Sequence, residues 1–150
     1  MVDGGVILGN RIIDVVFVSW FIAQGYKTLL VLIKERRINL RKFTESGGMP
    51  SSHTSSVVSL VTGLGIINGT DSPIFATALV FAIIVMYDAA GVRRAAGKQA
   101  GVLNRLIHSL GKKDSSIKLE EELKELIGHT PFEVLVGALL GFLVALIMLK

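Results

Sequence analysis

Four long apolar segments constrain the fold of this chain more than any other feature. They cover residues 12–33, 52–69, 73–91 and 132–149, and each is close to the roughly 20 residues that a membrane-spanning helix needs. A hydrophobic content of 51% and a mean hydropathy of +0.60 are also high for a soluble domain. We therefore predict a single all-α integral membrane domain with four transmembrane helices. The alternative is a soluble bundle of buried helices, but the last three segments show little polar striping.

The basic residues lie in two of the three connections between these segments. Thirteen of the 16 Lys and Arg residues fall within 34–50 and 92–129, whereas the turn at 70–72 has none. Alternate connections of a four-span protein share one side of the membrane, and an excess of Lys and Arg marks the cytoplasmic side. We expect both basic connections at the cytoplasmic face of the cell membrane. This topology accounts for the net charge of +4 without a nucleic-acid partner.

The second basic connection is also predicted to contain helices. Residues 94–127 carry mixed charge at helical spacing, which is typical of amphipathic helices at a membrane surface. We expect this insertion to be cytoplasmic.

A turn of small and polar residues precedes the second apolar segment. Gly47 and Gly48 permit unusual backbone angles, and Ser51 and Ser52 are of a type that caps helix starts. A helix start attracts anions because its unpaired N–H groups and its dipole point at the ligand. His53 follows directly, so we expect it beside such an anion. An ordinary capped turn with a solvent-facing histidine is the alternative.

Charged residues near the predicted cytoplasmic end supply further candidates. Lys27 lies within the first span, where a lysine is costly unless it is paired or faces a polar cavity; snorkelling to the interface is the alternative. Asp88 ends the third span, and Arg93 and Arg94 follow within two turns. These three form either a structural ion pair or a site in which arginines hold phosphate oxygens and Asp88 orients them.

The start of the fourth span places a histidine and an acid four residues apart. His129 and Glu133 share one face if the helix turn includes His129, and Pro131 is well placed in a first helical turn. Glu133 can then accept the proton of one ring nitrogen while the other nitrogen points outward. This arrangement is typical of a positioned nucleophile, although a glutamate that only complements the helix dipole is the alternative.

Together these residues resemble the type 2 phosphatidic acid phosphatase superfamily, which includes lipid phosphate phosphatases and vanadium-dependent haloperoxidases. Pro-Ser-Ser-His at 50–53 is similar to the superfamily's Pro-Ser-Gly-His motif, and His129 followed by Glu133 is similar to its last motif, which has aspartate in place of Glu133. The glycines at 47–48 and Asp-Ala-Ala-Gly-Val-Arg-Arg at 88–94 are most similar to a small divergent bacterial branch. The resemblance implies a reduced core, with four spans corresponding to helices three to six of a six-helix core.

The resemblance also implies a lipid-phosphate phosphatase that uses neither metal nor cofactor, with phosphatidate or an isoprenoid phosphate or diphosphate as substrate. His129 would attack phosphorus and form a phosphohistidine, which divides one difficult step into two. Glu133 would orient this ring, and His53 would act as general acid and then as general base. Asp88 and Gly48 would support the site. The residues that would hold the phosphoryl oxygens are Lys27, Ser51, Ser52, Arg93 and Arg94.

Two alternatives to this interpretation concern function. A noncatalytic lipid-phosphate binder, a flippase component or a membrane scaffold would also keep an anion site. A metal centre built from the three histidines is disfavoured, because His108 lies far along the amphipathic connection and no His-Glu-x-x-His spacing occurs.

A core reduced from six helices to four implies exposed helix faces, and we therefore predict a homo-oligomer, most simply a two-fold dimer. Asp14 and Gln24 are poorly suited to lipid, so we expect at least one of them to face protein. An apolar face covered by lipid is the alternative. The small residues that permit close helix contacts are Gly63, Gly65, Gly137, Ala138 and Gly141.

Overall fold

The computed structural model describes residues 4–35, 48–111, 123 and 128–150, and these residues contain helices but no strand. Five helices lie within these described ranges: α1 (Arg11–Glu35), α2 (Ser52–Asn68), α3 (Pro73–Ala90), α4 (Val92–Gly111) and α5 (Pro131–Leu149). The four predicted spans correspond to α1, α2, α3 and α5, with every boundary within two residues. The all-α prediction is therefore confirmed.

Short polar residues set the starts of three helices. Ser51 caps α2 by accepting a hydrogen bond from the Thr54 N–H, and Ser72 caps α3, whose first residue is proline. Thr130 begins α5 with a reciprocal capping box that includes Glu133. Each cap satisfies an N–H group that would otherwise have no partner at a helix start. The helix starts follow directly from local sequence.

The four apolar helices alternate in direction, with α2 in contact with α1, α3 and α5. Near one end, Val15 of α1 packs in a buried cluster with Val144, Ala145 and Leu149 of α5. At the other end, the Ser51 N–H that precedes α2 donates to a backbone oxygen of α5. The candidate residues of α1, α2, α3 and α5 therefore come to the same end of the bundle.

Small residues allow α2 and α5 to approach at backbone distance. A Cβ atom added at Gly137 would lie 2.5 Å from the Ser51 carbonyl oxygen, and one at Gly141 would overlap that of Ser55. The Ser55 hydroxyl is also within hydrogen-bond distance of the Ser19 hydroxyl of α1. The contacts of Gly137 and Gly141 that we attributed to an oligomer are therefore made inside one chain.

Four other residues that we offered as evidence for an oligomer also have contacts or burial within one chain. A Cβ atom at Gly63 would contact Ile12 and Leu149, and one at Gly65 would contact Phe75. Asp14 and Gln24 are both buried, and the Asp14 carboxylate accepts hydrogen bonds from two backbone N–H groups at 2.7 and 3.0 Å. The dimer stays a prediction, without support from these residues.

The outer surface of the bundle is apolar. Large side chains such as Ile84, Leu139 and Ile147 are exposed, as expected where helices face lipid rather than water. Among the described residues, α1, the stretch Pro73–Gly111 and α5 are long and apolar enough to cross a membrane. At 17 residues, α2 is about 26 Å long, slightly less than the roughly 30 Å hydrocarbon core, and its many small side chains are covered by its neighbours.

The amphipathic connection begins with α4, which follows α3 after Gly91. The side-chain amide of Asn104 donates to the Leu123 carbonyl at 2.9 Å and accepts from the Leu123 N–H at 3.1 Å. This pair attaches the returning chain to α4. The rest of the predicted insertion, at 112–122 and 124–127, lies outside the described residues, as does most of the first basic connection, at 36–47.

Candidate active site

His129 occupies a fixed position between α3, α4 and α5. Its backbone N–H donates to the Ala89 carbonyl at 3.0 Å. A Cβ atom added at Gly128 would overlap the backbone of Arg94. Glycine is therefore needed for this turn to pack against the start of α4. The His129 side chain is only 4% exposed. Contacts with the backbone of α3 and α4 therefore position the ring independently of its side-chain contacts.

The Glu133 carboxylate contacts the His129 ring. One of its carboxylate oxygens, Oε2, lies 3.3 Å from His129 Nδ1 and accepts the Thr130 N–H at 2.9 Å. The Glu133 N–H donates in turn to the Thr130 hydroxyl at 3.3 Å. Because the capping box holds the carboxylate in place, it can fix the tautomer with the proton on Nδ1. The lone pair of Nε2 is then available for attack on an electrophile.

The surroundings of His129 favour its neutral form. Burial lowers its pKa below the ordinary value of 6.5, and the positive charge of Lys27 lowers the pKa further. The hydrogen bond and the negative charge of Glu133 oppose this change, while His53 adds to it. A neutral imidazole is the form in which a histidine acts as a nucleophile.

Lys27 enters the site from α1. Its side chain is 7% exposed, and Nζ donates to the Ser52 hydroxyl at 3.4 Å. Its charge is close enough to Glu133, His129 and His53 to interact with all three. The side chain is therefore directed into the bundle.

The start of α2 supplies backbone donors and His53. Ser51 is wholly buried, and its hydroxyl accepts from the Thr54 N–H at 3.4 Å and the Thr54 hydroxyl at 3.0 Å. Gly48 has a positive φ of 77°, a conformation for which glycine is favoured, and lies beside the Lys27 side chain. Ser51 therefore caps the helix, and a contact of its hydroxyl with phosphate stays a prediction. The N–H groups of Ser52 and His53, in the first turn, remain the donors that any helix start presents.

The two adjacent arginines have different surroundings. Arg93 Nε donates to the Asp88 carboxylate at 2.6 Å, and both charges act on the exposed His53 ring. Arg94 lines a cavity that also reaches His129. The two arginines thus have different neighbours, since Asp88 pairs with Arg93 and Arg94 lines the cavity.

That cavity is the part of the site that sequence reasoning missed. It has a volume of about 620 Å³ and runs between α4 and residues 128–130. Two further cations, Lys98 and Arg105, line it together with Arg94. Their spacing along α4, four and eleven residues after Arg94, was a visible signal that these side chains share one helix face. We call this cavity the α4 groove.

Metal-binding side chains do not cluster in the described part of the chain. No group of three or more His, Cys, Asp or Glu residues there could hold a metal ion. His108 lies on α4 and, unlike His53, is not among the charged and titratable groups that act on His129.

Comparison with known proteins shows where this bundle belongs. The sequence profile described as "Divergent PAP2 family" matches residues 8–144, where PAP2 denotes type 2 phosphatidic acid phosphatase. The chain belongs to this family. It is also 40% identical over 135 residues to the uncharacterized membrane protein YuiD of Bacillus subtilis (strain 168), covering 84% of this chain and 85% of that protein. No solved structure matches this chain. The prediction of a membrane protein and the resemblance to a divergent branch of the phosphatase superfamily are therefore confirmed.

Proposed function

We propose that the protein is a membrane lipid-phosphate phosphatase that transfers the phosphoryl group to His129. The observation that carries this proposal is the contact of His129 with Glu133 beside Lys27 and His53. A nucleophile, an orienting acid, a cation and a second histidine are the groups that phosphoryl transfer through a histidine requires. Membership in a divergent phosphatase family supports the same chemistry.

Each group has a defined role in the proposed reaction. Nε2 of His129 attacks phosphorus while Glu133 holds Nδ1 and stabilises the charge that develops on the ring. Lys27 and the first N–H groups of α2 stabilise the phosphoryl oxygens as negative charge builds, which is the contribution that fixed donors make best. His53 protonates the leaving oxygen and then removes a proton from the water that hydrolyses the phosphohistidine, a role typically worth about 10² to 10⁴ in rate.

The site lies at one end of the membrane bundle, where it can meet a lipid head group. Exposed apolar side chains continue from the bundle onto α4, including Val102 and Leu106. The charge asymmetry of the sequence supports a site on the cytoplasmic face of the cell membrane. We infer that the substrate is a lipid phosphate drawn from that leaflet.

Phosphate release by the purified chain tests the proposal. We expect hydrolysis of at least one lipid from a panel of phosphatidate, isoprenoid phosphate and isoprenoid diphosphate in mixed micelles. His129→Ala should abolish turnover, whereas His108→Ala, which removes a histidine from outside the site, should retain it. Phosphate release that is equal in the wild type and His129→Ala would refute a role for His129. Lipid-phosphate binding without turnover would favour the noncatalytic binder, flippase or scaffold.

A further inference from the structure

The α4 groove is larger than one phosphoryl group requires. Its volume of about 620 Å³ lies within the roughly 300–1,000 Å³ of cavities that hold small-molecule ligands. One end of the groove is the turn that carries His129, and the other end lies along α4 near Arg105. The nearly buried His129 ring can therefore share this cavity with a ligand that extends beyond the transferred group.

Three cations face the groove in a row. At the helical rise, Lys98 lies about 6 Å and Arg105 about 16 Å beyond Arg94 along α4. All three side chains are exposed, and none forms an ion pair with a described residue. No acidic side chain is among the described residues that line the groove. Its charge is thus uncompensated by these residues, and an anion is the ligand that it favours.

Three glycines are part of the groove lining. Gly97 and Gly101 are buried on the same helix and line it together with Gly128. No side chain at these positions fills the space between the cations and His129. The contact of Gly128 with the Arg94 backbone places the nucleophile's turn directly against the first cation of the row. An anionic group next to the transferred phosphoryl group would therefore lie one helical turn from Lys98.

We propose that the α4 groove binds the second phosphoryl group of a lipid diphosphate, and that Lys98 makes the protein prefer diphosphates over monophosphates. This inference rests on the proposed function, because it assigns the substrate class of the same site. The terminal phosphoryl group occupies the position beside His129, and the lipid-linked phosphoryl group lies between Arg94 and Lys98. The lipid chain then leaves over Val102, an apolar residue of the groove lining.

The reaction is balanced without a further reactant. Nε2 of His129 forms a bond to the terminal phosphorus, and the bond from that phosphorus to the bridging oxygen breaks. The electron pair leaves on the bridging oxygen, which takes the proton of His53, so the first product is a lipid monophosphate. Water then attacks the phosphohistidine and gives a proton to His53, while the bond from phosphorus to Nε2 breaks with its electron pair on Nε2. Inorganic phosphate is released, and His129 returns to the neutral form.

A binding measurement tests the groove independently of turnover. We would titrate the full chain in mild detergent with methylenediphosphonate, which is not hydrolysed at its bridge, and with inorganic phosphate. We expect methylenediphosphonate to bind at least about tenfold more tightly, since a charge-assisted hydrogen bond contributes that much. Lys98→Gln should remove this preference and Lys98→Arg should keep it. The control Arg11→Gln removes a cation at the other end of the bundle and should change neither affinity.

Equal affinity for the two ligands, or an unchanged preference in Lys98→Gln, would overturn the inference. Lipid hydrolysis separates this failure from failure of the proposed function. If the wild type hydrolyses an isoprenoid monophosphate through His129 but Lys98→Gln leaves the diphosphate-to-monophosphate ratio of kcat/KM unchanged, the groove assignment fails alone. If no lipid is hydrolysed while Lys98-dependent binding of methylenediphosphonate persists, the phosphatase proposal fails, and the anion site that the groove assignment describes is supported.

Discussion

The contact between α2 and α5 at Gly137 provides a direct test of how the site is assembled. A Cβ atom at this position would lie 2.5 Å from the Ser51 carbonyl oxygen and 3.2 Å from Ser51 Cβ. Because the obstacle is backbone, Gly137→Ala must move one helix away from the other. The same movement stretches the bond from the Ser51 N–H to the Glu133 carbonyl, now 3.2 Å, which joins the two ends that carry His53 and His129.

The expected cost follows from these two effects. Overpacking a close contact costs about 1–3 kcal/mol, and a weakened backbone hydrogen bond adds about 0.5–1.5 kcal/mol. We therefore expect Gly137→Ala to lower the free energy of unfolding by about 2–4 kcal/mol relative to a glycine-to-alanine change in open space. Gly25→Ala on α1 is that control, because nothing lies within 4 Å of its added Cβ atom. Gly25→Ala should therefore raise the free energy of unfolding by about 1 kcal/mol, the advantage of alanine over glycine in a helix.

Unfolding in a single detergent, followed by the helical circular dichroism signal, gives the comparison. Gly137→Ala should unfold at lower temperature or denaturant concentration than Gly25→Ala and should also lose lipid phosphatase activity. If the two variants are equally stable, α2 and α5 are not in backbone contact, and the described arrangement of the site is wrong.

Four further predictions concern the reaction, the topology and the assembly. Burial keeps the pKa of His129 below its ordinary value of 6.5, so the ring is neutral above pH 6.5 and kcat/KM should not change there through this group. At lower pH the ring gains a proton, and kcat/KM should fall. A wild-type pH profile without this acidic fall contradicts a neutral nucleophile. Lys27→Met should lower kcat/KM by about ten- to a hundredfold, the value of a charge-assisted hydrogen bond, with helical content unchanged; equal kcat/KM would exclude Lys27 from phosphate binding. Single cysteines at Lys112 and Asp71 should react with an impermeant reagent from opposite sides, and labelling of position 112 from outside would reverse the topology. Mass measurement in detergent and nanodiscs should give a dimer, whereas an active monomer in both would show that four spans function alone.

The sequence predicted the helices well because their signals are local. Apolar length located the spans, and Pro131 was recognised as a residue of a first helical turn, which the structure confirms. The pair of His129 and Glu133 was also visible, since four residues make one helical turn. Such features depend on neighbours along the chain, and the fold retains them.

Packing features could not be predicted in the same way. Gly137 and Gly141 permit a close helix contact, but the sequence does not say which helix is the partner, and we assigned them to another copy of the chain. The buried Ser19 and Ser55 pair depends on how α1 meets α2. The α4 groove was missed because the sequence assigns Lys98 and Arg105 to an amphipathic helix but does not show that the turn at Gly128 packs against that helix.

Direct detection of a phosphohistidine tests the central claim most closely. The full chain would be mixed with a lipid substrate carrying a radiolabelled terminal phosphate, stopped rapidly with base, and digested for peptide mapping. Our account predicts a base-stable, acid-labile label on the peptide that contains His129, which is present in His108→Ala and absent from His129→Ala. A wild-type enzyme that releases phosphate without such a label, or that carries the label on another residue, would contradict it.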